Sequence, residues 1–271
     1  MNNQILSGMT IIACFLGCPA VSTAGDDDDD EIPFEEAHIF FELNHTDGDL
    51  GIHALIDGDA WKHLAIADHE ERVILDVFVR GRLRRQGLTE VFFESDEPSF
   101  DDLSPSQFFS RFPKGIYEIE GVTLEGDELE SETRVTHRMP APAAPAINAM
   151  PMAEQCDDEE PGYDAPTLML PVTITWPAVD HTHPDLGSPR NSTNIAIRNY
   201  EVVVEAEVEG LNGEEFTSIF SALLPPDVTS MTIPEEFLAQ SDTFKYEVLA
   251  REKSFNQTAV ESCFLLDDSG P

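Results

Sequence analysis

The chain has 271 residues, 53 of them acidic and 15 basic, which gives a formal net charge of −38 at pH 7. A surface of that sign repels nucleic acid and anionic membranes; it either attracts divalent cations and cationic partners or is simply a solvated acidic surface that keeps the chain soluble. At 41% hydrophobic residues with 17 phenylalanines the chain can build real cores, so it is not an acidic disordered protein as a whole.

Residues 1–24 carry no charged side chain; Ile5-Leu6 and Ile11–Leu16 form an apolar stretch, and Ser22-Thr23-Ala24 supplies small residues before Gly25. That pattern predicts a secretory signal peptide. Phe15-Leu16-Gly17-Cys18 resembles a bacterial lipobox, so a lipid anchor at Cys18 stands beside simple cleavage. No later segment approaches the length of a membrane-spanning helix. Residues 25–36 are expected to be an acidic disordered leader, because the adjacent charges of Asp26–Glu31 repel one another.

Residues 37–138 alternate apolar and polar positions at the two-residue period of strands. The expected strands are His38–Leu43, Gly51–Ile56, Trp61–Ala67, Arg72–Arg84, Leu88–Glu94, Gly115–Leu124 and Glu132–Arg138. Turns are expected at Asp47-Gly48-Asp49, Asp57-Gly58-Asp59, Asp68–Glu71 and Gly126-Asp127. One short helix should open at Ser104-Pro105, where a Ser N-cap precedes a proline. Seven strands in this length predict an immunoglobulin-like β-sandwich. Pro113-Lys114-Gly115-Ile116-Tyr117 resembles the Pro-Gly-x-Tyr start of a strand common in bacterial immunoglobulin-like domains.

Residues 139–165 change character, with Pro140, Pro142, Pro145 and Pro151 among alanines, then Glu154 and Asp157–Glu160. This reads as a stiff, extended linker that holds two sandwiches apart unless Cys156 ties it down. Once the leader is removed only Cys156 and Cys263 remain; they either pair, stapling the linker to the last strand, or stay free thiols.

Residues 166–271 form the second expected domain. Trp176 ends the run VTITW; Tyr200, Val202 and Val204 alternate; Phe244, Tyr246, Val248 and Ala250 alternate before the polar break SFNQT and a last strand at Ala259–Phe264. Pro166–Leu266 resembles a fibronectin type III domain, with Trp176-Pro177 at the end of that family's second strand, Tyr200-x-Val202-x-Val204 in its third and Leu238…Phe244…Val248…Ala250 around its penultimate one. Phe244 stands where the family usually has its corner tyrosine, and Phe255 where a glycine often shapes the last hairpin. The resemblance implies a scaffold for adhesion and spacing. The fold class is therefore all-β, two sandwiches joined by a Pro/Ala-rich acidic linker.

Three constellations could carry chemistry. Asp47, Asp49, Asp57 and Asp59 sit in two Asp-Gly-Asp stretches, which either form structural turns or supply oxygens to calcium. His181 and His183 are either a metal-binding pair or part of an exposed loop. Arg80, Arg82, Arg84 and Arg85 concentrate basic charge; on a strand the first three share one face, either docking an acidic partner or neutralising the chain's own carboxylates. No nucleophile elbow, phosphate loop or zinc helix is present. The sequons at Asn44, Asn191 and Asn256 matter only on a eukaryotic secretory route. The expected function is non-enzymatic: a secreted, periplasmic or cell-surface module binding an unidentified protein or surface ligand. A calcium-binding adhesion component and an enzyme with a loop-built site are the alternatives.

Overall fold

The computed structural model describes residues 31–153, 155–156, 164–211 and 213–267. The signal-peptide, Cys18 and Asp26–Asp30 readings lie outside these residues. Strand accounts for 51% and helix for 6%, so the protein is all-β.

In the N-terminal half, β1 (Glu36–Asn44) turns back into β2 (Asp49–Ala67). They are followed by β3 (Val73–Phe78), β4 (Leu88–Glu94), the helix α1 (Pro105–Arg111), β5 (Gly115–Thr123) and β6 (Glu128–Val135). The first part of β2 lies between β1 and β4; its last part lies between β3 and β5, and β6 pairs with β5. A register shift between Asp57 and Trp61 marks where this long strand passes from one layer to the other. The layers enclose a core that includes Phe41, Trp61, Leu64 and Tyr117, each fully buried.

Three expectations for this half change. Asp57-Gly58-Asp59 is not a turn but the middle of β2. Its glycine answers a different need: a Cβ there would come within 3.0 Å of the Phe34 ring, so Gly58 permits a close approach. The strand expected over Arg72–Arg84 ends at Phe78, because Gly81 adopts φ +63° and Leu83–Arg85 form a 3-10 turn. The end of the acidic leader is ordered: Ile32 bridges Leu129, and Phe34 is buried with its N–H donating to Ser131 Oγ at 3.0 Å. The helix forms as expected, with the Ser104 N–H and hydroxyl both donating to Gln107 Oε1 at 3.1 and 2.8 Å.

The C-terminal half contributes β7 (Ala146–Ile147), β8 (Met150–Pro151), β9 (Thr167–Leu168), β10 (Thr173–Thr175), β11 (Ile197–Glu209), β12 (Glu215–Leu224), β13 (Ser230–Thr232), the short helix α2 (Glu235–Leu238), β14 (Thr243–Glu252) and β15 (Gln257–Leu266). One sheet runs β13-β10-β7-β8; the facing one runs β12-β11-β14-β15, and β9 pairs with β15. Trp176, directly after β10, is 4% exposed and meets Tyr200 edge-on at 5.4 Å between centroids. The Tyr200 hydroxyl accepts from Val179 N–H at 2.8 Å. Phe244, at the position of the family's corner tyrosine, stacks on Phe264 at 4.9 Å.

Of the segment expected as an extended linker, residues 139–153 pack into the protein, while Glu154 and Asp157–Glu160 lie outside the described residues. Met139 is fully buried in the first core, and Ala141, Ala143 and Ile147 are buried in the second. Pairing of β7 with β10 consumes its backbone groups. Cys156 and Cys263 form a disulfide with Cα atoms 5.7 Å apart, so the segment is tied to β15.

The halves are joined within one sheet. β15 pairs in parallel with β1, Gln257 opposite Glu42, Thr258 opposite Leu43 and Ala259 opposite Asn44. The β14–β15 turn also reaches across. Asn256, 1% exposed, accepts from the Phe41 N–H through Oδ1 at 2.9 Å and donates through Nδ2 to the carbonyls of Thr136 and Arg138 at 2.8 and 3.1 Å. Phe255 takes φ +70°, the region where a glycine is free, and its ring stacks on His38 at 3.7 Å beneath the Arg198 guanidinium. Removing the Asn256 amide takes their partner from the buried Phe41 N–H and from the part-buried carbonyls of Thr136 and Arg138. Asn256→Ala is therefore expected to destabilise the whole chain by about 3 kcal/mol or more in denaturant unfolding; a loss under about 1 kcal/mol would show the junction to be peripheral.

Candidate functional site

The outward face of the long sheet carries the chain's charge across both halves. Because strand side chains alternate, the pairing register places Glu205 beside Lys245, Glu247 beside Glu261, and Arg251 beside Gln257, which in turn faces Glu42. Arg251 donates to Gln257 Oε1 at 2.6 Å and to Glu201 Oε2 at 3.3 Å, and the Gln257 amide donates to Glu42 Oε2. Four strands are thus laced by one polar row. Beside it opens a cavity of about 760 Å³ lined by Glu205, Lys245, Glu247, Glu261 and the Cys156–Cys263 disulfide. Burial, together with the charges of Glu42, Glu261, Glu201 and Glu205, pushes the Glu247 carboxyl up to about 8. Burial also raises Glu42 and Glu261.

On β2 the same face continues as Asp49, Gly51 and His53. Glu94 of β4 lies directly opposite His53. The Glu97 carboxylate lies over Gly51, where any side chain would collide with it, and sits 3.1 Å from His53 Nε2. His53 is 4% exposed; burial opposes its charge, but the Glu97 hydrogen bond and the charges of Glu42, Glu97 and Glu94 outweigh this and raise its pKa. Burial and neighbouring carboxylates lift Asp49 to about 6, and its Oδ1 is buried with no hydrogen-bond partner.

The residues singled out in the sequence fare unevenly. Asp49 and Asp57 lie at opposite ends of the β1–β2 pairing, facing Asn44 and Glu36, so Asp47, Asp49, Asp57 and Asp59 do not converge on one ion. Arg80, Arg82, Arg84 and Arg85 lie beyond β3 in a loop and 3-10 turn rather than along a strand face. All four are exposed, and none forms an ion pair among the described residues. Arg80 sits 5.9 Å from the Phe78 ring centre, and with Arg84, Lys62 and His63 it lines a cavity of about 370 Å³. His183 is not in an exposed loop: it is 2% exposed and accepts at Nδ1 from the N–H groups of Asp185 and Leu186, both at 3.1 Å. Its Nε2–H therefore points to His45 Nδ1 at 3.3 Å, and burial with the His45 charge lowers its pKa to about 4. His181 turns outward to Asp180 at 2.7 Å, so the two histidines do not share a ligand side.

The cluster around His53 escaped the sequence because Glu42, His53, Glu94 and Glu97 come from three separate stretches. Only the correct pairing of β1, β2 and β4 unites them. The Glu247 shift yields a prediction. A carboxyl raised in the folded state weakens stability as pH climbs from its unfolded value of 4.5 through about 8. Glu247→Gln is expected to leave stability nearly unchanged at pH 5 and to raise it by roughly 1–3 kcal/mol at pH 8.5, read by thermal denaturation. An equal effect at both pH values would contradict the assignment.

No family profile matches the chain, and no curated protein matches it. Among solved structures it is similar to a 1.5-MDa bacterial ice-binding adhesin studied for host cell surface retention, at 12% identity and TM-score 0.22 over 88% of this chain and 66% of that one. It is also similar to the BSP domain of a biofilm associated protein, at 12% identity and TM-score 0.24 over 88% of this chain and 30% of the other. A third is Dpr11 IG1 bound to DIP-gamma, at 10% identity and TM-score 0.21 over 85% and 98%. The chain thus spans less than two thirds of the two bacterial structures. Overlays this loose carry no argument about function, and the sandwich assignment rests on the strand pairing above. No helix among the described residues is long and apolar enough to cross a membrane.

Proposed function

We propose that the chain is an exported, non-enzymatic binding and spacer module of the cell envelope or extracellular space. It would consist of an immunoglobulin-like sandwich with its core in residues 37–138, followed by a fibronectin type III sandwich in residues 166–271. The strand order β12-β11-β14-β15 against β13-β10-β7, with Trp176 after β10, supports the type III reading. The leader at residues 1–24 supports export.

One observation carries the binding role. In a chain of net charge −38, Arg80, Arg82, Arg84 and Arg85 stand exposed and unpaired among the described residues, beside the exposed Phe78 and Leu83. No carboxylate among the described residues pairs with the cluster, which favours an outside partner over internal neutralisation. Free guanidinium groups beside an aromatic ring suit a partner that presents carboxylates on an apolar base.

The test is retention of the full chain on the source envelope fraction at low and high salt. Replacing Arg80, Arg82 and Arg84 together by Gln is expected to weaken retention about tenfold at low salt while leaving the unfolding midpoint nearly unchanged. Retention that survives the triple replacement, or a clear low-salt loss of stability, would overturn the proposal.

A further inference from the structure

We propose that His53, Glu94 and Glu97 form a binding site for one divalent transition-metal ion, with Zn2+ the best fit, and that Glu42 positions the imidazole from behind. The donor atoms of the three residues lie within 4.8 Å of one another. A cation held about 2.0–2.2 Å from each ligand needs only a modest contraction of that triangle. His53 offers Nε2 toward Glu97 at 3.1 Å and turns Nδ1 toward Glu42 Oε2 at 4.0 Å. Glu42 thus faces the second nitrogen of the ring, the side from which a carboxylate raises the basicity of a metal-ligating histidine.

Two observations separate the site from an ordinary acidic cluster. The imidazole is 4% exposed and both of its nitrogens face carboxylates, Nε2 toward Glu97 and Nδ1 toward Glu42, so a buried ring is aimed among carboxylates. Asp49, on the same face two residues before Gly51, keeps a buried Oδ1 with no partner. Space is also provided, since Gly51 leaves the volume that the Glu97 carboxylate occupies. Phe40 and Phe92 flank His53 at 5.3 and 6.1 Å between centroids and form an apolar wall, while exposed Glu94 keeps one side open to water.

The donor set selects the ion. An imidazole nitrogen with two carboxylates suits Zn2+ and its transition-metal neighbours, whereas Ca2+ prefers six to eight oxygens. Binding requires the neutral imidazole, so the proton that His53 shares with Glu97 leaves as the ion enters, and affinity falls as pH falls. The ion would clasp the end of β4 to β2, against which it is paired on one side.

The test uses the full chain stripped with chelator, then titrated with ZnCl2 by calorimetry and with CoCl2 by visible spectroscopy. The expected result is one high-affinity ion per chain, Co2+ bands of low-coordinate geometry, and a melting temperature raised by roughly 5 °C at a hundredfold excess over Kd. Glu94→Gln and Glu97→Gln should each weaken Zn2+ at least about tenfold, and Glu42→Gln should weaken it about 10–100-fold with stoichiometry kept. Asp57→Asn, farther along β2, serves as the control and should change nothing. His53 is left in place because its burial makes it a folding residue. Absence of Zn2+ binding, affinity undiminished in Glu94→Gln and Glu97→Gln, or equal competition by Ca2+ would each overturn the proposal.

Discussion

The side chain of Asn256 holds the two halves in register. Its Oδ1 takes the Phe41 N–H and its amide caps the chain leaving β6, so β1, β6 and the β14–β15 turn meet at one buried group. The next residue along, Gln257, then falls opposite Glu42. A slip of one residue would reverse the faces of β1, turning Phe41 outward and Glu42 into the core. The parallel β1–β15 pairing is short, and without the Asn256 bonds and the clamped Phe255 ring little would set its register.

That register decides the electrostatics. With Glu42 outward, the row Glu201–Arg251–Gln257–Glu42 forms and the acidic face becomes continuous from β11 to β4. Burial, reinforced by the neighbouring carboxylates, lifts Glu247 to about 8 and Asp49 to about 6. The chain therefore segregates its charge. Carboxylates crowd the outward face of the long sheet, while Arg80, Arg82, Arg84 and Arg85 follow β3 in a loop and 3-10 turn. Among the described residues, the arginine cluster forms no ion pair in a protein with more than three acidic residues for each basic one.

Much of the fold was legible in the sequence. Alternation located β1, β4, β5, β11, β14 and β15, the Ser104-Pro105 pair announced α1, and Trp176 was readable as core because an alternating run ends on it. The errors have physical causes. Asp57-Gly58-Asp59 has the composition of a turn, but its glycine exists to admit Phe34, a contact invisible without tertiary structure. The alternating arginines looked like a strand face until Gly81 broke the chain direction. The Pro/Ala segment looked like a free linker because alanines give no amphipathic signal, although Ala141 and Ala143 are buried. Asn256 appeared only as part of a sequon; at 1% exposed it is a structural hub, not an accessible acceptor. The site around His53 was unreadable, since long-range pairing alone assembles it.

Because the two cores share a sheet through β1 and β15, they are expected to unfold as one body. Differential scanning calorimetry of the full, oxidised chain tests it most directly. The expected result is a single transition whose calorimetric and van't Hoff enthalpies agree. Two resolved transitions, or a van't Hoff enthalpy near half the calorimetric one, would show that the halves melt independently and contradict it.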